Sequence, residues 1–173
     1  MKEVLLFFIC IVLLTGCGKD DNPTGVDIDN PSGQFYRDFD PDVILNLNDS
    51  ILIDTDNNGH DDVILKMDQY GRWADRINDS VNISMGVFIG SGSGNLDTIA
   101  YNEVIDGDTQ EWYIGFNLFT KDIRYIGVRK NEEQNATYGW IAIELSDSLM
   151  TIDSYFFRKV PDAEVRAGII NQE

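Results

Sequence analysis

Apolar and polar residues alternate along much of the chain that follows residue 36. In the clearest case, Val81, Ile83, Met85, Val87 and Ile89 take every second position, and Asn82, Ser84 and Gly86 stand between the first four of them. Because successive side chains of a strand point to opposite faces, a period of two predicts a strand with one buried face.

The same pattern predicts nine short strands, separated by turns rich in Gly, Asn and Asp. The predicted strands are residues 43–47, 50–54, 62–68, 80–89, 97–105, 111–119, 123–130, 137–145 and 149–158. Residues 69–77 are the one stretch that also fits a short helix. Short strands at this spacing predict an all-β fold, a single antiparallel β-sandwich or jelly-roll-like domain.

The chain begins with a segment typical of export. Residues 4–14 form an unbroken apolar run of eleven residues. This run is shorter than the roughly 20 residues that span a bilayer, but it suits the apolar region of a signal peptide. The sequence LTGC at residues 14–17 follows and resembles the lipobox of bacterial lipoproteins. The resemblance implies cleavage of residues 1–16 and modification of Cys17 with diacylglycerol and an amide-linked fatty acid such as palmitate. The alternatives are an ordinary secretory signal with a chance Cys and an N-terminal helix buried in the fold.

Residues 17–36 are rich in Asp, Asn, Gly and Pro and poor in apolar residues. They predict a lipidated flexible tether ahead of one domain over residues 37–173. The sequence GKDDNP at residues 18–23 resembles the acidic signal that sends some Gram-negative lipoproteins to the outer face of the outer membrane. We therefore expect a lipid-anchored protein of the bacterial cell envelope, at the outer membrane and exposed at the cell surface. A solvated tether without a sorting role is the alternative for the acidic tract.

The charge balance is strongly acidic, with 30 Asp and Glu against 13 Lys and Arg and a formal net charge of −17. Such a chain lacks the basic face that binds phosphate backbones, so we expect no nucleic-acid partner. A single His and two Cys exclude most catalytic triads and any His- or Cys-rich zinc site. Cleavage removes Cys10 and lipid blocks Cys17, so no intrachain disulfide is expected.

A dense polar loop over residues 54–62 separates two apolar runs and has the alternate spacing of a Ca²⁺-binding loop. The candidate metal ligands are the side chains of Asp54, Asp56, Asn58 and Asp62 and the backbone oxygen of His60. Gly59 permits the sharp bend of the loop. Oxygen donors favour Ca²⁺ over Zn²⁺, and three Asp so close in the chain repel one another without a cation.

This loop is not an EF-hand, because Leu65 occupies position 12, where an EF-hand has a bidentate Glu. We interpret it as a calcium turn between two strands, in which a structural Ca²⁺ neutralises the loop. The alternative is a turn without metal, since Asn-Gly forms hairpin turns by itself and Asp-rich turns arise by chance in so acidic a chain.

Two parts of the chain carry a further resemblance. The first is the loop with its flanking residues, 53–63, and the second comprises YGWI at 138–141, TIDSY at 151–155, Pro161 and the Ala-Gly pair at 167–168. Together they are similar to secreted bacterial β-sandwich proteins that often end in a C-terminal sorting anchor. The resemblance implies a sandwich fold, export and calcium binding, and it implies no reaction. The chain differs from that group in its predicted N-terminal lipid anchor.

The aromatic residues leave two functions open. Core packing is expected for Trp140, whereas Trp73 and Trp112 stand beside charged or polar residues and suit either core packing or stacking on a sugar. We expect a non-enzymatic interaction or structural role, with a glycan or a protein as partner, and assign no catalytic residue. The alternatives are a surface carbohydrate-binding module, which needs exposed aromatics, and a small hydrolase. The hydrolase needs a pocket with paired carboxylates, or with His60 beside a nucleophile.

Overall fold

The computed structural model describes residues 27–29, 33–77, 81–84, 99–106, 112, 115–118, 124–130 and 135–170. These residues form an all-β structure without a helix. This part of the chain accordingly has no helix of sufficient length and apolarity to cross a membrane. The strands are β1 (Asp27–Asp29), β2 (Gln34–Leu45), β3 (Ser50–Ile53), β4 (Val63–Asp68), β5 (Gly71–Arg76), β6 (Val81–Ser84), β7 (Val104–Ile105), β8 (Gly115–Asn117), β9 (Tyr125–Lys130), β10 (Thr137–Leu145), β11 (Met150–Arg158) and β12 (Val165–Arg166).

The strands form two larger sheets and one short ribbon. The six-stranded sheet has the order β1-β2-β11-β10-β9-β6, the four-stranded sheet has the order β3-β4-β5-β8, and β7 pairs with β12. Every pairing is antiparallel. The all-β antiparallel fold predicted from the sequence is therefore confirmed.

Five predicted strands coincide with β3, β4, β9, β10 and β11 to within two residues at each end. The reason is visible in β4, where Val63, Leu65 and Met67 are buried while Ile64 and Lys66 are partly exposed. Alternation marks a strand clearly where one face packs on a core and the other approaches solvent.

The N-terminal boundary differs from the prediction. β1 and the first residues of β2 lie within residues 17–36, the segment assigned to a tether, and β2 begins nine residues before the predicted strand at 43–47. The sequence RDFDPD at 37–42 was misleading because Asp and Pro are typical of turns. Here the cis bond between Asp40 and Pro41 lies where the register of β2 against β11 shifts, so the strand continues through an irregularity.

The short helix over residues 69–77 is wrong, because this stretch forms β5. Asp68 closes the turn that precedes β5, since its Oδ1 accepts hydrogen bonds from the backbone N–H of Tyr70 at 2.7 Å and of Gly71 at 3.0 Å. These bonds, that of Tyr70 above all, lower the pKa of Asp68. The turn returns the chain alongside β4 as a hairpin.

Three other predicted strands are shorter or interrupted where the structure describes them. Within residues 97–105, Ile99 forms an isolated bridge, residues 100–103 form a turn, and only Val104 and Ile105 are strand. β6 and β8 lie inside the predicted ranges 80–89 and 111–119, and much of both ranges lies outside the described residues.

One hydrophobic cluster takes buried side chains from both larger sheets. Phe35, Ile141 and Phe157 come from the six-stranded sheet, and Leu65 and Ala74 come from the four-stranded sheet. Complete burial of a large apolar side chain contributes about 2 kcal/mol, so this shared cluster helps to hold the two sheets together.

A second cluster lies on the other face of the six-stranded sheet and centres on Trp140. Its indole is buried, stacks on Phe156 at 5.9 Å between ring centroids, and makes a T-shaped contact with Tyr125 at 5.5 Å. Ile105 and Val165 of the ribbon belong to the same cluster. Trp140 is thus a core residue, as expected.

Gly139 on β10 gives a direct test of this packing. A Cβ atom there would overlap the carbonyl oxygen of Phe156 and lie 2.6 Å from Cδ2 of Phe157. We expect Gly139→Ala to lower the free energy of unfolding by about 3 kcal/mol, measured by urea denaturation in EDTA. Gly59→Ala is the control, because its Cβ meets nothing within 4 Å and the variant should cost only the strain of a positive φ, about 1 kcal/mol. A Gly139→Ala protein as stable as wild type would contradict this account of the packing.

Candidate metal centre

The β3–β4 hairpin presents the acidic loop. Ile53 pairs with Val63 at its base, and the backbone N–H of Asp62 donates to the carbonyl of Ile53 at 2.9 Å. Ile53, Asp62 and Val63 are all buried. The two ends of the loop are therefore fixed on the sheet while residues 54–61 project from it.

Asp54 organises the outer part of the loop. Its Oδ1 accepts a hydrogen bond from the backbone N–H of Asn58 at 3.1 Å, and its Oδ2 accepts one from Gly59 at 2.6 Å. Asn57 and Gly59 have φ values of 54° and 87°, in the left-handed region that Asn and Gly tolerate best. The Asn and Gly of the motif thus let the chain curl around the carboxylate of Asp54.

Asp62 is the buried member of the loop, with its side chain fully inaccessible to solvent. Its Oδ2 accepts hydrogen bonds from the Thr55 hydroxyl at 2.6 Å and from the Thr55 backbone N–H at 3.0 Å. Its Oδ1 accepts one from the ammonium group of Lys130 at 3.1 Å. Both oxygens are satisfied, as a buried carboxylate requires.

Asp56 is only partly satisfied. Its Oδ2 lies 2.6 Å from Nζ of Lys130. Its Oδ1 is buried and has no hydrogen-bond partner among the described residues. A buried carboxylate oxygen without a hydrogen-bond partner destabilises the fold by about 1–3 kcal/mol or more. Oδ1 of Asp56 is therefore an oxygen that could bind a cation.

The loop brings three of the predicted ligands together. Oxygen atoms of Asp54, Asp56 and Asp62 all lie within 4.8 Å of one another, so these residues could hold a metal ion. Asn58 and His60 are exposed, and the Asn58 amide oxygen accepts a hydrogen bond from the His60 backbone N–H at 2.9 Å. Their predicted role as ligands stays a prediction.

Lys130 is the member of the site that the sequence analysis missed. It ends β9 in the opposite sheet, continuing the inward positions of Ile126 and Val128, and its side chain is 11% exposed. Burial by itself would lower the pKa of Lys130, but the hydrogen bonds from its ammonium group to Asp56 and Asp62 outweigh that effect and raise it. The ammonium is therefore charged and offsets one of the three carboxylates, which leaves the site a formal charge of −2.

A small pocket of about 200 Å³ opens beside the loop, where β2 and β3 come together. Its lining includes Arg37, Asp54, Asp61 and Tyr155. The Tyr155 hydroxyl donates to the backbone carbonyl of Asp54 at 3.1 Å, which ties the first residue of the loop to the six-stranded sheet. His60 does not line this pocket.

The two remaining tryptophans are half-buried. The Trp73 indole N–H donates to Oδ1 of Asp68 at 3.2 Å. The Trp112 ring lies 4.8 Å from the Arg129 guanidinium and 6.0 Å from the Tyr138 ring. Neither is fully exposed, and each has a protein neighbour on its ring or at its edge.

Cys17 and the predicted signal peptide at residues 1–16 lie outside the described residues. Comparison with known proteins finds no matching family model, no matching curated protein and no matching solved structure. The site is therefore interpreted from its own chemistry.

Removing Asp62 tests the electrostatic arrangement of the site. In Asp62→Ala, Lys130 and the amide of Thr55 lose a buried partner, so we expect the free energy of unfolding in EDTA to fall by about 3 kcal/mol. The matched control is Asp75→Ala, which breaks a Lys66–Asp75 pair whose two side chains are each 37% exposed and should cost less than about 1 kcal/mol. Equal losses in the two variants would contradict the account of Asp62 as the buried anchor of the loop.

Proposed function

We propose that this chain is a lipid-anchored lipoprotein of the bacterial cell envelope whose β-domain is stabilised by a Ca²⁺ ion, and that it serves a non-enzymatic interaction or structural role. The observation that carries the metal part is the partnerless, buried Oδ1 of Asp56 beside the carboxylates of Asp54 and Asp62. A divalent cation would satisfy that oxygen and offset the negative charge of the three carboxylates.

The chemistry of the donors favours calcium among divalent cations. Carboxylate and carbonyl oxygens suit Ca²⁺, Mg²⁺ and Mn²⁺ better than Zn²⁺. Mg²⁺ demands a near-ideal octahedron and keeps several waters, whereas Ca²⁺ accepts six to eight ligands in irregular geometry. The spacing from Asp54 to Asp62, with the Asn58 amide and the His60 carbonyl available between them, suits the larger and less demanding ion.

The structural role follows from where the loop is tied. Asp62 is buried at the end of the loop, and the Asp54 carbonyl accepts a hydrogen bond from the Tyr155 hydroxyl of the six-stranded sheet. An ion held by Asp54, Asp56 and Asp62 would therefore stiffen the β3–β4 turn against the neighbouring sheet.

The anchor part of the proposal rests on the LTGC sequence at residues 14–17. Several acyl chains, at about 0.8 kcal/mol per buried CH₂ group, hold a protein firmly on a membrane. Nine residues separate Cys17 from the first described strand at Asp27, and the ten steps between these two Cα atoms span at most about 36 Å. Lipidation at Cys17 would thus keep the domain close to the membrane surface.

Calcium should stabilise the domain. For a dissociation constant of about 0.1–1 mM, as in extracellular modules, 10 mM Ca²⁺ adds about 1.4–2.7 kcal/mol. We expect this to raise the Tm by about 4–10 °C, as followed by circular dichroism after EDTA treatment. Mg²⁺ should give a smaller rise.

Asp56→Asn is the informative variant for this measurement, because it removes one carboxylate while keeping the size of the side chain. It should abolish most of the Ca²⁺-dependent rise, whereas the exposed-pair variant Asp75→Asn should keep all of it. Identical melting of the wild-type protein in EDTA and in 10 mM Ca²⁺ would refute the calcium site.

Membrane attachment has its own test. In a Gram-negative host, Cys17→Ala should move the protein from the membrane fraction to the soluble periplasmic fraction, because no thiol remains to carry diacylglycerol. Cys10→Ala, within the predicted signal peptide, is the control and should leave the mature protein in the membrane fraction. Continued membrane association of Cys17→Ala would count against the lipobox.

A further inference from the structure

We infer that Lys130 is a built-in competitor of the divalent cation: its ammonium group occupies the carboxylates of Asp56 and Asp62 in the metal-free protein, and the ion must displace it to bind. This inference rests on the proposed calcium site and concerns its regulation.

The ammonium group of Lys130 contacts two of the three carboxylates of the candidate metal site. Its Nζ lies 2.6 Å from Asp56 Oδ2 and 3.1 Å from Asp62 Oδ1. Lys130 reaches these oxygens from β9, in the other sheet, and is separated from them in sequence by 74 and 68 residues. The folded structure therefore brings the ammonium to the acidic loop, and the loop has one positively charged partner in the metal-free protein.

Competition follows from the burial of that partner. The side chains of Lys130 and Asp56 are 11% and 15% exposed, and that of Asp62 is fully buried. Little solvent separates the ammonium from an ion bound to the same carboxylates, so the two positive charges repel each other with little screening. On this inference, binding of the ion breaks the two bonds of Lys130 and turns its ammonium towards solvent.

Two consequences distinguish this arrangement from a simple calcium loop. The affinity of the site for Ca²⁺ is low, because the displacement of Lys130 offsets part of the binding free energy. The link between the sheets also changes with occupancy, since the bond from β9 to the loop exists in the metal-free state and is released when the ion binds. The site would then respond to changes in free Ca²⁺ near its dissociation constant instead of remaining saturated.

The opposite possibility makes a different prediction. If Lys130 stays on Oδ2 of Asp56 and merely aims Oδ1 at the ion, it is a positioning residue, and removing it would weaken binding. The sign of the affinity change on replacing Lys130 therefore separates competition from positioning.

The experiment is a calorimetric titration of Ca²⁺ into EDTA-treated wild-type protein, Lys130→Met and the control Lys66→Met, at low ionic strength. Met keeps the length of the side chain without the charge, and Lys66 pairs with Asp75 away from the loop. Competition predicts at least ten-fold tighter binding in Lys130→Met and no more than a two-fold change in Lys66→Met. Unchanged or weaker binding in Lys130→Met overturns the inference while leaving the calcium site intact. Failure of both wild type and Lys130→Met to bind overturns the calcium site itself.

A second measurement needs only the wild-type protein and so does not depend on the folding of a variant. Reductive methylation of lysine amines, read by mass spectrometry, should increase several-fold at Lys130 when 10 mM Ca²⁺ is added, because the displaced ammonium becomes accessible. Methylation of Lys66 should not change. Constant or decreased methylation of Lys130, in protein whose melting temperature responds to Ca²⁺, contradicts the displacement.

Discussion

The acidic loop depends on one buried charge, the carboxylate of Asp62, which lies where the two larger sheets meet. Asp62 lies with no solvent exposure at the end of the β3–β4 loop, and its oxygens bind Thr55 beside it and Lys130 across the gap. A buried carboxylate is tolerated only with such partners. Because Asp62 is fixed, the loop has a defined end, and Asp54 and Asp56 come to lie beside it as an oxygen-rich centre.

Much of the fold could be predicted from the sequence because alternation reports on burial. β10 and β11 lie between neighbouring strands of a sheet whose two faces differ, and their bounds were predicted to within a residue. The prediction failed at β2 and β5. The residues Asp40-Pro41 in β2 and Asp68 to Gly71 at the β4–β5 turn are of types that are typical of turns. There the pairing with β11 or β4 decides the structure, and pairing partners distant in sequence leave no local signal.

The candidate site was predictable only as far as it is local. The spacing of Asp54, Asp56 and Asp62 placed three carboxylates together because one loop contains them all. Lys130 was not found, since nothing in the sequence says which strand of the opposite sheet faces the loop. The only local signal is that Lys130 follows Ile126 and Val128 at alternate positions, on the face of β9 that points to the core. A lysine at such a position needs a buried acidic partner.

The central claim is that Oδ1 of Asp56, which has no hydrogen-bond partner in the described part of the chain, is a ligand of a divalent cation. A high-resolution crystal structure of the domain grown in calcium tests it most directly. The account predicts one ion in the loop, with Asp54, Asp56 Oδ1 and further oxygens as ligands at about 2.3–2.6 Å, and Lys130 turned away from it. A loop without an ion, in which Asp56 Oδ1 binds only water and Lys130 keeps both carboxylates, would contradict it.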